Sequence, residues 1–268
     1  MTAPPANVLA AFGVTGAPLP AARGMGRTWI AGDLVLKEVD DEAEHDWVCD
    51  VYDAWSSDDV AVARPIAVDG RWSVDGWSAQ GLLVGETACA VDDPGWFRMV
   101  HESFHDVTRD LARPAFLDTR DDPWTYGERV AWEGEAPEGH AGTLSLLTRA
   151  VALLEPVDVS DQVVHGDLGG NVLRDGDRAA VIDWPPYWRP VGFALAVVAM
   201  DAVCWEGAGA DLLEEWADVP CWDQLLLRAV AYRVATRGHN QAHGVVPAGS
   251  DGYAEERRGL HLVEARLR

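Results

Sequence analysis

VVHGDLGGNVLRDGDRAAVIDW (163–184) is the stretch whose reading decides the fold. VVH is a buried-looking strand that ends in His165-Gly166-Asp167, and Asn171 follows four residues after Asp167. An Asp175-Gly176-Asp177 turn then returns the chain to a second strand, AVID, ending at Asp183. Two carboxylates and an amide are thus delivered at the ends of short strands. A magnesium–phosphate site needs such a set: a carboxylate beside the hydroxyl nucleophile, and hard oxygen ligands for the metal.

Upstream of this stretch the chain divides by texture. Residues 5–12 read as a short helix. ARGMGRTWIAGDLVLKEV (22–39) reads as strand–turn–strand, with Gly32-Asp33 suited to a hairpin turn and LVLKEV alternating. Acidic residues crowd the start of 40–55, where a helix dipole favours them, and Trp47, Val48, Val51 and Trp55 share one face. RPIAV and SAQGLLV, within 64–86, give two more strands. Beyond residue 86 helices take over: 94–112, 143–155, 191–206, 209–217, 221–237 and 252–266. Residues 113–140, bearing Pro, Gly and Trp, read as loop, and short strands fall at 162–165, 171–174 and 179–182. The expectation is an α+β chain: a small β-rich lobe with one principal helix over 1–86, then a larger helical lobe over 87–268.

Composition narrows the function. The 268 residues carry a net charge of −23, which opposes nucleic acid and anionic membrane as partners. That charge is compatible with a cationic small-molecule substrate, and equally with solubility alone. No apolar run is long enough to span a bilayer, and MTAPPANVLAAF lacks the basic start of a signal peptide. Cys49, Cys89, Cys204 and Cys221 are scattered without metal or redox spacing, so a cytoplasmic protein with reduced thiols is expected. Lys37 is the only lysine, and the other 20 of the 21 basic residues are arginine (21 − 1 = 20). Codon bias replaces lysine wherever only a positive charge is needed, so a surviving lysine points to a role that arginine does not fill. A strand-edge solubility lysine is the alternative.

HGD…N…ID resembles the catalytic and metal loops of the aminoglycoside phosphotransferase family, within the protein-kinase-like superfamily. The order of lobes is similar along residues 20–240. The resemblance implies a bilobal protein-kinase-like fold, ATP and magnesium as cofactors, and a small-molecule acceptor. It implies that Asp167 orients or deprotonates the acceptor hydroxyl and that Asn171 and Asp183 hold the metal. Lys37 would grip the α/β-phosphates, paired with a helix glutamate, Glu44, with Glu42 as its rival. Gly24 and Gly26 would form the phosphate loop, although RGMGRTW lacks the full glycine pattern. The backbone from Val84 to Glu86 would face adenine.

One departure separates the chain from the family's usual HGDxxxxN: here HGDLGGN has one residue fewer. Either Gly169 and Gly170 tighten the loop, or Asn171 does not reach the metal. The shorter loop keeps open a catalytically inactive nucleotide binder. A second motif competes: His101-Glu102-Ser103-Phe104-His105 matches HExxH, the zinc metalloprotease signature, on an expected helix.

Overall fold

The computed structural model describes residues 2–21, 27–245 and 253–268. They fall into two compact units, Met1–Thr87 with Asn171–Pro186, and Ala88–Gly170 with Tyr187–Arg268. The single boundary expected near residue 86 is thus joined by two more, because the 171–186 hairpin belongs with the N-terminal unit.

The first unit begins with α1 (Ala6–Ala11), β1 (Leu19–Pro20), β2 (Thr28–Ala31) and β3 (Leu34–Glu38). Gly32, at φ +64, makes the β2–β3 turn with Asp33, as its freedom from a Cβ allows. Next comes α2 (Glu42–Asp53), capped by Asp41, whose side chain accepts from the Ala43 and Glu44 N–H groups at 2.8 and 3.1 Å. The buried side chains of α2 are Cys49 and Tyr52, while Trp47, Val48 and Val51 are half-buried. β4 (Val60–Val62), β5 (Ser73–Val74), β6 (Trp77–Gly81) and β7 (Glu86–Thr87) follow. One sheet runs β1-β2-β3-β6-β5 and seats Leu36, Trp77 and Ala79 against Val8 and Phe12 of the N-terminal segment. The RPIAV segment does not form a strand. Pro65 has no N–H to donate, so 64–68 follows β6 through one bridge, Pro65 to Gln80, and hydrogen bonds such as Ile66 N–H to the Ala79 carbonyl.

The chain then enters the second unit through α3 (Pro94–Thr108), a 3-10 turn (Ala115–Asp118), α4 (Pro123–Trp132), α5 (Ala141–Val151) and β8 (Asp161–His165). It returns to the first unit for β9 (Val172–Asp175) and β10 (Arg178–Val181), which complete a second sheet, β4-β10-β9-β7. β10 lies parallel to β4, with Val181 opposite Val62, so AVID is a central strand and its apolar run is buried. β11 (Pro186–Pro190) pairs with β8, and α6 (Val191–Trp205), α7 (Ala210–Glu215), α8 (Trp222–Ala242) and α9 (Ala254–Arg266) finish the second unit.

α4 and β11 are absent from the sequence reading for the same reason. Both carry Pro and Trp, and α4 a Gly as well, which read as loop. In α4, Pro123 stands at the start of the helix, where its missing N–H costs nothing, behind an Asp122 cap. Gly127 is there for contact: a Cβ would come within 2.2 Å of Thr236 Oγ1 and 2.7 Å of the Tyr232 carbonyl on α8. Among the described residues no helix is long and apolar enough to cross a membrane.

Candidate functional site

In the first unit, β3 presents Lys37 between Thr28 on β2 and Ser78 on β6. Its ammonium donates to Asp183 Oδ1 at 2.8 Å, joining residues 146 positions apart in sequence. Asp183 stands just beyond β10 at φ +53, a left-handed conformation that only a few residue types tolerate and that collects at functional positions. Trp184 fixes this turn: it is buried, its ring stacks on Tyr52 at 5.6 Å, and it meets Trp47 at 5.4 Å. Burial pushes the Tyr52 phenol well above its ordinary value, so the ring acts as a neutral platform. Asn171 opens the same hairpin, its carbonyl accepting from Ile182 N–H at 2.9 Å. Lys37 on β3, Asn171 just before β9 and Asp183 just beyond β10 therefore all belong to one unit.

The remaining expected nucleotide residues are placed as follows. Glu44 lies half-buried in the first turn of α2. Val84 is exposed between β6 and β7, and Glu86 opens β7 opposite Arg174 of β9. Gly85 between them, at φ +153, lies so near β9 that a Cβ would stand 3.0 Å from the Arg174 carbonyl oxygen. Gly24 and Gly26 lie outside the described residues.

In the second unit, Asp167 follows the end of β8, and its backbone N–H donates to His165 Nδ1 at 3.2 Å. His165 in turn donates its own N–H to His105 Nε2 at 3.1 Å. His105 donates from Nδ1 to the His101 carbonyl at 2.7 Å, and His101 donates from Nε2 to the Val191 carbonyl at 3.1 Å. The chain of bonds settles the second motif. With one ring nitrogen donating and the other accepting, His105 has no lone pair for zinc, so the buried histidines of HESFH are a scaffold for the Asp167 loop and not a metalloprotease centre. Gly166 completes the turn, because a Cβ there would come within 2.1 Å of the buried Tyr187 ring.

Burial lowers both scaffold histidines, His101 to about 4 and His105 well below its ordinary value. Their neutral forms support the fold fully above the unfolded value near 6.5, and that support is lost as pH falls toward the folded value. Between pH 7 and 5 the wild type will lose about 2 kcal/mol more unfolding free energy than His101→Gln, in which position 101 no longer holds an imidazole that has to stay neutral. Urea unfolding at the two pH values reads the difference, and parallel losses would contradict it.

No protein-family model matches the sequence, and no curated protein does. Solved structures do match across nearly the whole chain. The aminoglycoside phosphotransferase APH(4)-Ia aligns over 97% of this chain and 97% of its own, at 16% identity and a TM-score of 0.59. A choline/ethanolamine kinase family protein from Mesorhizobium loti covers 96% of this chain and 90% of its own, at 17% identity and a TM-score of 0.58. The chain has the aminoglycoside-phosphotransferase fold. A macrolide 2'-phosphotransferase from Brachybacterium faecium shares it, at 15% identity over 96% of this chain and 95% of its own, with a TM-score of 0.53.

Within this aminoglycoside-phosphotransferase fold, sequence reasoning missed a central residue. Arg233 of α8 donates from Nη2 to Asp167 Oδ1 at 2.5 Å and from Nε to Asp201 Oδ1 at 2.8 Å. Asp201 is the only charged residue of the apolar helix α6, and burial pushes its carboxyl up to about 6 against the pull of Arg233. Both of its carboxylate oxygens are committed to Arg233. Glu206, at the end of α6, accepts from the Cys89 thiol at 3.0 Å. A lone aspartate in an otherwise apolar helix was the available signal, since a buried carboxylate demands a cation. Removing that cation by Arg233→Met will cost on the order of 3–5 kcal/mol of stability, most of it recovered in the Arg233→Met/Asp201→Leu double variant. Denaturant unfolding of both variants checks this, and a double variant no more stable than the single one would contradict it.

Proposed function

We propose that this chain transfers the γ-phosphoryl group of magnesium ATP to a hydroxyl of a small molecule. The observation that carries the reading is the bond from the chain's only lysine to Asp183, the residue that closes VID. Lys37 would bind the α/β-phosphates, with Glu44 and the Gly24–Gly26 segment in support, and the backbone from Val84 to Glu86 would take adenine. Asp183 and Asn171 offer hard oxygen donors that fit magnesium, and Asp183 already accepts a cationic group. Gly170, at φ +77, uses the freedom of glycine directly before Asn171, in support of the tightened loop. Magnesium, when bound, supplies positive charge that offsets charge on the transferring phosphoryl group. Asp167 would orient the acceptor hydroxyl and take its proton, with positioning supplying most of the acceleration.

The fold supports this reading, since its solved relatives include aminoglycoside, macrolide and choline/ethanolamine enzymes, one of them in a complex with AMP-PNP and hygromycin B. The acceptor class we favour is a small hydroxyl compound, amine-bearing sugars and choline-like alcohols included. Asp201 does not add a free negative charge for a cationic acceptor, because Arg233 already uses it. A second reading, nucleotide binding without transfer, has one observation in its favour: Arg233 donates to an Asp167 oxygen that a base would need.

Calorimetric titration with magnesium ATP, followed by transfer of labelled γ-phosphate to a panel of hydroxyl compounds, separates the readings. Binding with transfer supports the kinase. Binding without transfer to any compound supports the second reading, and no binding at millimolar nucleotide sinks both.

A further inference from the structure

We propose that Glu138, His239 and His243 form a binding site for a borderline transition-metal dication, zinc foremost. The proposal is independent of the kinase reading. His239 lies in the last turn of α8 and His243, four residues on, caps the helix, so their rings project from one side. Glu138 comes from the 133–140 connection between α4 and α5. One ligand atom from each residue lies within 4.8 Å of the other two. Tetrahedral zinc with bonds of about 2.0–2.1 Å needs ligand atoms roughly 3.3 Å apart. Glu138 and His243 are exposed, so small rotamer changes close that gap.

The surroundings prepare these three side chains as ligands. His243 donates from Nδ1 to the His239 carbonyl at 2.9 Å, which leaves the Nε2 lone pair outward. Metal-bound histidines use such a backbone bond to fix the ring and its tautomer. The two imidazoles stack at 4.0 Å, an arrangement that a pair of imidazolium cations would resist, and a shared metal would turn the rings so that their in-plane lone pairs converge. His239 Nδ1 meets Glu138 Oε1 at 2.5 Å, so carboxylate and imidazole already converge. Tyr126 holds both partners: its ring lies 4.8 Å from that of His239, and its hydroxyl accepts the Glu138 N–H at 2.7 Å. Two imidazoles and one carboxylate suit zinc, nickel or copper(II), whereas magnesium prefers an all-oxygen shell. A chain of net charge −23 also concentrates dications at its surface. Bound metal would tie the α4–α5 connection to the end of α8.

The test uses tag-free full-length protein, stripped with EDTA and dialysed into buffer with excess magnesium to occupy hard-oxygen sites. Zinc titration by calorimetry should give one site per chain, with a Kd in the range of about 1–10 µM. The His239→Gln/His243→Gln variant, checked for an unchanged metal-free Tm, should bind about 100-fold more weakly. Cobalt substitution should show no thiolate charge-transfer band, which separates this site from the cysteines. Zinc binding of equal affinity in the variant, a thiolate band, or no saturable binding below roughly 100 µM would each overturn the proposal.

Discussion

An Asp167→Asn variant is expected to keep its affinity for magnesium ATP and to lose transfer by about 10²–10⁴-fold, the usual worth of a positioned general base. The substitution is nearly isosteric, and the amide oxygen still accepts from Arg233. The backbone N–H bond to His165 is untouched, so the His101–His105–His165 scaffold stays in place. The amide lacks a carboxylate's capacity to take the acceptor's proton. The loss should therefore appear in kcat with little change in the nucleotide dissociation constant, and the thermal midpoint should stay close to wild type. Calorimetry, a thermal melt and a transfer assay on the same preparation check all three. Normal transfer would show that Asp167 has been given the wrong role.

The comparison with Arg233 sharpens this expectation. Arg233→Met acts through stability, because it strands the buried Asp201. Asp167→Asn acts through chemistry, because the group it changes is half-exposed and remains hydrogen-bonded.

The elements legible in the sequence were those with their own period and punctuation. Gly32-Asp33 announced the β2–β3 hairpin, Asp175-Gly176-Asp177 announced the β9–β10 hairpin, and the C-terminal helices declared themselves by length. HGD, Asn171 and VID were legible because strand ends deliver their side chains at fixed places. What sequence could not show was set by partners distant in the chain. α4 looks like loop until Gly127 is seen against Tyr232 and Thr236. HESFH looks like a zinc site until His105 is seen bonded to His165. Arg233 carries no local signal, since its meaning comes from carboxylates 32 and 66 positions away. Likewise, the return of 171–186 to the N-terminal unit depends on β10 finding β4, a pairing over more than a hundred residues that no local pattern encodes.

The other large effect is expected at Lys37, where charge conservation should fail to conserve function. Lys37→Met should lower kcat/KM by about 10²–10³-fold, as removal of one preorganised charge does. Lys37→Arg should fall within tenfold of Lys37→Met, although it keeps the positive charge. The reason is shape. Lys37 reaches Asp183 from a central strand flanked by β2 and β6, with its side chain three-quarters covered (25% exposed). A compact ammonium on a flexible stem can turn among a carboxylate and phosphate oxygens, whereas a guanidinium is a wide planar fork that must meet its partners edge-on. Asp183 itself cannot shift far, because its left-handed backbone is followed by Trp184 locked against Tyr52 and Trp47. The composition of the chain makes the same case independently: 20 of 21 basic positions carry arginine (21 − 1 = 20), and this one does not. Parallel nucleotide titrations and transfer rates for the two variants decide it. If Lys37→Arg works as well as the wild type, the solitary lysine is an accident of codon usage and the phosphate-gripping role belongs elsewhere.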